Sequence, residues 1–365
     1  MFYYIFYQWL FDPDKVTSVF RLFKYITFRS AYAALTALVI SLILGPIIIK
    51  KLRSRRVVQV IREEYLENHV HKSSTPTMGG IIILAALIAS TLLWARLDSR
   101  LIIAILLVTI SLGLLGFYDD YLKVVKKKSE GLIIRKKLIG QVAIALAVAL
   151  YFYYYPVGSQ FQTSLAIPFF NKPPLNLEWL YIPFVVLVIV GSSNAVNLTD
   201  GLDGLAIGSV IFAAIAYAGF CYVGGNIKIA EYLKIIYVPG GGELTVFLAA
   251  LIGAGLGFLW FNAHPADIFM GDTGSLALGG ALGTAAILIK NELLLLIVGG
   301  LFVMEACSVL IQIVSYRLWK KRVFLIAPLH HHFEKKGWAE SKIIIRFWII
   351  AIIFVLLSLS TLKLR

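Results

Sequence analysis

The sequence predicts an all-α polytopic membrane protein, and three observations carry that prediction. The first is ten apolar stretches near the length that crosses a bilayer, about 20 residues each. The second is composition: 59% hydrophobic against 15% charged, with a mean hydropathy of +0.84. A soluble chain is nearer half apolar and a quarter charged. The third is the placement of cations, which sit between the apolar stretches and favour one side.

The stretches fall near 31–49, 78–97, 101–118, 138–155, 180–196, 205–223, 244–261, 274–289, 293–316 and 343–362. An even number puts both termini on one side. The connections after the first, third and ninth stretches carry twenty-one of the thirty-four Lys and Arg, seven in each. The other connections and both termini carry twelve, and Arg346 falls inside the last stretch. Positive charge marks the cytoplasmic side, so both termini are expected outside. The net charge of +14 could suggest nucleic acid. Its position beside membrane ends instead favours anionic lipid and phosphorylated substrates, and no nucleic acid is expected.

One domain, 1–365, is the simplest organisation. Its first thirty residues open on MFYYIFYQWLF, which has no basic stretch and no small-residue cleavage site. These aromatics, followed by Lys15, Arg21, Lys24 and Arg29, predict an interfacial segment on the bilayer. Cys221 and Cys307 lie within apolar stretches and read as packing residues. No strand alternation or tandem repeat is evident.

Polar motifs gather in the connections assigned to the cytoplasm: NHVHKSSTPTMGG (68–80), GFYDD (116–120), SNAVNLTDGLDG (193–204), FNAHPADIFMGDTG (261–274) and APLHHHFE (327–334). Three carboxylate pairs lie there, Asp119 with Asp120, Asp200 with Asp203, and Asp267 with Asp272. A single pair is readily a solvated helix end, since surface charge costs little. Three pairs on one membrane face point to function. Neighbours on a helix diverge by about 100°, so Asp119 and Asp120 cannot face one point unless the helix frays. Carboxylates beside a basic surface suit Mg²⁺, which takes a few oxygens and shares substrate phosphates. Nothing resembles a zinc site, because no Cys pair lies near the histidines and no HExxH occurs.

MGDTGSLALGG (270–280) sets glycines before an apolar helix without the Gly-Lys-Ser/Thr of a phosphate-binding P-loop. Its amides would face an anion or orient Asp272, with Thr273 as the plain N-cap. Asn194, Asn197, Asp200 and Asp203 match the donor and acceptor pattern of a nucleobase or sugar. The three consecutive histidines can donate to phosphate oxygens or base edges.

Taken together, HKSSTPTMGG, GFYDDYLK, NAVNLTDGLDGLA, FNAHPADIFMGDTGSLALGG and PLHHHFE resemble the phospho-MurNAc-pentapeptide transferases, within the polyprenyl-phosphate N-acetylhexosamine-1-phosphate transferase superfamily. The resemblance runs from about Lys72 to Glu334. It implies Mg²⁺-dependent transfer from UDP-MurNAc-pentapeptide to undecaprenyl phosphate, giving lipid I and UMP, at the cytoplasmic face of the bacterial inner membrane. It also implies a homodimer among membrane lipids. It places the metal on Asp272 and makes Asp119 and Asp120 essential. It assigns Lys72, Asn194, Asn197, Asp200, Asp203, Asn262, Phe269, Gln312, His331 and His332 to the nucleotide pocket or nearby. Within or beside these motifs, Lys72 and His331 join the expected catalytic set, and Lys123, Gly201 and His330 the substrate-binding set. Two alternatives share part of the pattern. A UDP-GlcNAc:polyprenyl-phosphate transferase has the Asp motifs but lacks PLHHHFE. A secondary transporter places its charges near the bilayer midplane, commonly in inverted repeats.

Overall fold

A computed structural model describes residues 1–12, 16–55, 75–126, 131–157, 163–168 and 175–363. The apolar stretches are helical, because a helix satisfies its own backbone groups where water is absent. The helices are α1 (Ile26–Ser54), α2 (Gly80–Trp94), α3 (Arg100–Val124), α4 (Ile134–Tyr154), α5 (Tyr181–Thr199) and α6 (Leu205–Gly224). After them come the short α7 (Ile227–Leu233), then α8 (Glu243–Asn262), α9 (Gly271–Leu288), α10 (Leu295–Val298), α11 (Gly300–Trp319), α12 (Leu329–Lys335) and α13 (Glu340–Ser360). Among the described residues, eight helices are long and apolar enough to cross a membrane. The sequence leads one to expect ten; α2 is a shorter apolar helix of 15 residues, and α9 is glycine-rich.

The ninth stretch departs from expectation, since the chain breaks at Gly299 between α10 and α11. Such a break is tolerated at membrane depth where protein covers it. Gly299 and Gly300 stack this corner on Leu295 and Phe354. A two-residue ribbon, Ser164–Leu165 with Leu175–Asn176, also appears where no strand was expected. Cys221 is buried as predicted, but Cys307 is exposed on α11.

α8 and α9 form the centre, flanked by α1, α3, α5 and α6. Small residues dominate these seams, which is how helices approach closely without a solvent-driven core. The N-terminal segment folds back over the ends of α1 and α2. The Met1 ammonium donates to the Leu92 carbonyl at 2.8 Å, Tyr4 Oη donates to Asp98 at 2.6 Å, and Phe2 meets Trp94 edge-on at 4.9 Å.

Beneath that segment, Arg29 and Glu243 form a buried two-pronged pair at 2.7 and 2.6 Å, with Arg29 also donating to the Trp94 carbonyl at 3.3 Å. Removing one member of such a pair strands the other charge. Glu243→Gln is therefore expected to destabilise the fold by about 3–5 kcal/mol. A thermal melt in detergent reads this; an unshifted midpoint would show that the pair bears little of the stability.

Candidate active site

α3 runs unbroken through GFYDD to Val124, so its two carboxylates diverge as helix geometry requires. Asp120 turns to the start of α9. It accepts from the Asp272 amide at 3.1 Å, the Thr273 amide at 2.9 Å and Thr273 Oγ1 at 2.7 Å. The first amides of a helix lack internal partners and favour negative charge. Asp120 thus caps α9 from another helix, and Thr273 lies inside α9 instead of being its N-cap. Gly116, one turn earlier, permits the approach: a Cβ there would overlap the Asp272 carbonyl.

Asp119 turns the other way. Its Oδ1 accepts from the Leu132 amide at 2.6 Å, and its Oδ2 pairs with Lys123 at 2.8 Å and Lys137 at 3.4 Å. The same two ammonium groups each lie 2.8 Å from Asp272 Oδ2. Asn197 Nδ2 holds Asp272 Oδ1 at 2.7 Å and also reaches Ser275 Oγ at 2.8 Å. The carboxylates of Asp119 and Asp272 thus share the two ammonium groups of Lys123 and Lys137. The oxygens around Asp272 form a hard donor set of the kind Mg²⁺ takes.

Asp200 closes the cluster at the end of α5, where its carboxylate takes the Gly271 amide. Withdrawal from water, then repulsion from Asp272 and Asp120, pushes its carboxyl up to about 8. Asn194 faces sideways, donating to Gln141 Oε1 at 2.9 Å and so tying α5 to α4.

A second group surrounds Asp203. Its Oδ2 takes the Ala266 amide and pairs with His264 Nδ1, both at 3.1 Å, while its own amide donates to Glu340 at 3.1 Å. Asp203, His264 and Glu340 bring ligand atoms within 4.8 Å of one another, and these hydrogen bonds account for the grouping. Asn262 braces the turn, accepting from the Gly204 amide at 3.0 Å and donating to the Ile268 carbonyl at 2.8 Å. The Phe269 amide donates to the Pro76 carbonyl and its carbonyl accepts from the Gly79 amide, each at 2.8 Å, which brings TPTMGG beside MGDTG. Lys72 lies outside the described residues.

The histidine segment forms α12. Gln312 spends both ends of its amide on residues 323 and 324. His332 Nδ1 accepts from the Leu325 amide at 3.1 Å, so Nε2 carries the proton of the neutral ring. Desolvation and nearby Lys336 hold this imidazole below its usual range, keeping it neutral. His331 pairs with Glu334 at 2.9 Å, whereas His330 is fully buried against Gly201.

The expected residues that meet directly are thus Asp119, Asp120, Asp272, Lys123, Asn197 and Asp200. Asp267 stands apart, exposed and paired with Arg53 at 2.9 Å. Sequence reasoning missed Lys137, Gln141 and Ser275. Lys137 and Gln141, one turn apart where α4 opens, are polar residues entering an apolar helix. That is the available signal, although Lys137 also reads as a topology cation.

Among the described residues, eight helices of membrane-crossing length together with a carboxylate–ammonium cluster define an integral membrane transferase. Glycosyl transferase family 4 matches residues 102–290, and Phospho-N-acetylmuramoyl-pentapeptide-transferase signature 1 matches residues 72–84. The chain is 54% identical to the phospho-N-acetylmuramoyl-pentapeptide-transferase of Citrifermentans bemidjiense, over 98% of this chain and 99% of the relative. It is 53% identical to that of Desulfotalea psychrophila over 99% and 100%, and 50% identical to that of Endomicrobium trichonymphae over the full length of both. The chain belongs to the phospho-N-acetylmuramoyl-pentapeptide-transferase family. It is a multi-pass protein of the bacterial inner membrane.

Proposed function

We propose that the protein transfers phospho-MurNAc-pentapeptide from UDP-MurNAc-pentapeptide to undecaprenyl phosphate, forming lipid I and releasing UMP at the cytoplasmic face. The convergence of Asp119, Lys123, Lys137, Asn197 and Asp272 is the observation that carries this reading. An oxygen of the lipid phosphate attacks the phosphorus bearing MurNAc. The bond from that phosphorus to the bridging oxygen breaks, and the bridging oxygen leaves with UMP.

Phosphoryl transfer asks a protein mainly for positioning and charge neutralisation. Lys123 and Lys137, now on Asp272, are placed to turn their ammonium groups to diphosphate oxygens. Asp272 would hold Mg²⁺, which when bound neutralises the diphosphate and stabilises the departing charge. Asp119 keeps the two lysines in register through Oδ2 and aligns the acceptor phosphate between them. Asp120 fixes the start of α9 and so the direction of Asp272. The half-buried Phe269 ring offers a face for uracil, a stacking contact of about 1–3 kcal/mol.

Purified protein with both substrates should release UMP only when Mg²⁺ is present, and UDP-GlcNAc should not replace the muramyl donor. Release with UDP-GlcNAc alone would move the activity to the related hexosamine transferases. In the same assay Asp119→Asn is expected to bind the donor as wild type does but to lose turnover about 10²–10³-fold. Equal loss of binding and turnover would overturn the alignment role.

A further inference from the structure

One buried carboxylate has no part in this reading. Glu305 lies in the second turn of α11, within an apolar sequence, and is fully buried. A carboxylate in that position is costly unless it does something that a leucine could not. Its Oε2 accepts from the Leu329 amide at 2.7 Å, where α12 begins. The same oxygen stands 3.2 Å from His330 Nδ1, without the alignment of a hydrogen bond.

His330 is itself fully buried, although the sequence placed it among the substrate contacts. Its Nε2 edge presses on Gly201, where any Cβ would overlap the ring. Gly201 follows Asp200, whose carboxylate takes the Gly271 amide beside Asp272. A line of contacts therefore runs from the buried Glu305 and His330 to Gly201, in the loop of Asp200 and Asp203. His331 and His332 follow His330 on the same short helix.

We infer that Glu305 and His330 form a buried latch that seats the histidine helix against the Asp200–Gly204 loop, which makes Glu305 a positioning residue for donor binding. Glu305 holds the first amide of α12, and the His330 ring acts as a spacer against a glycine backbone. Together they set the distance between His331 and His332 on one side and Asp200 on the other. This inference rests on the proposed transferase function.

The test is UMP release by the full-length protein in detergent, with the two substrates varied separately. Glu305→Leu keeps the volume and removes the acceptor for the Leu329 amide. It should raise KM for UDP-MurNAc-pentapeptide about tenfold, the effect of roughly one lost buried hydrogen bond. KM for undecaprenyl phosphate should stay within about twofold of wild type on the same scale. Glu305→Gln keeps an acceptor oxygen and should bring the donor KM most of the way back. Gly201→Ala should also raise the donor KM, and combining it with Glu305→Leu should add little, since both release one latch.

A merely structural role would lower the melting temperature and the active fraction while leaving both KM values alone, and that result overturns the inference. Multiplying effects in the double variant would overturn it as well. If Glu305→Leu does not accumulate, His330→Ala takes its place in the same comparison. Absence of UMP release by the wild type would instead sink the transferase reading itself.

Discussion

Asp272→Asn is expected to fold normally and to lose turnover by about a thousandfold, the upper range for deleting one preorganised electrostatic contact. Folding survives because the residue 272 amide, capped by Asp120, is unchanged by the substitution. The amide side chain can still accept from Asn197, which now holds Oδ1 at 2.7 Å. It cannot balance two ammonium groups at 2.8 Å, nor offer a charged oxygen to a divalent cation. UMP release at saturating Mg²⁺, beside a melt in detergent, separates these effects. An unchanged melt with activity within about tenfold of wild type would remove Asp272 from the centre of the chemistry.

Gly116→Ala is expected to do comparable damage without touching a single polar group. Its Cβ would overlap the Asp272 carbonyl, so α3 and α9 must separate there. Overpacking of this kind costs about 1–3 kcal/mol of stability. The functional cost is larger, because Asp119 and Asp120 ride on α3 while Asp272 rides on α9. A shift on the order of 1 Å in such an arrangement costs roughly 10²-fold in rate. Gly191→Ala on α5 is the control, since its Cβ would meet no atom within 4 Å. Equal activity of the two alanine variants would show that the close approach at Gly116 is not needed for catalysis.

Much of this was legible in the chain itself. Span length and apolar composition are local properties, and nine of the ten apolar stretches each became one helix, the ninth breaking at Gly299. The divergence of Asp119 from Asp120 followed from helix geometry alone. So did the gathering of polar motifs at helix ends, because carboxylates are excluded from lipid-facing positions.

Which partner each group takes was decided only in three dimensions. Asp120 serves residues 272 and 273, more than 150 positions away, and nothing local marks it as their cap. Lys123 reads as a substrate contact and Lys137 only as a topology cation, yet they share the carboxylates of Asp119 and Asp272. His330 and His331 are neighbours in one motif, but one is buried as a spacer and the other pairs with Glu334 near the surface. Asp267 and Asp272 looked like a pair, and the turn between them sends Asp267 to Arg53. Local hydropathy and periodicity determine where a helix forms and which ends are polar. Contacts between residues distant in the chain depend on how closely helices can pack, and small residues such as Gly116 and Gly201 set that distance.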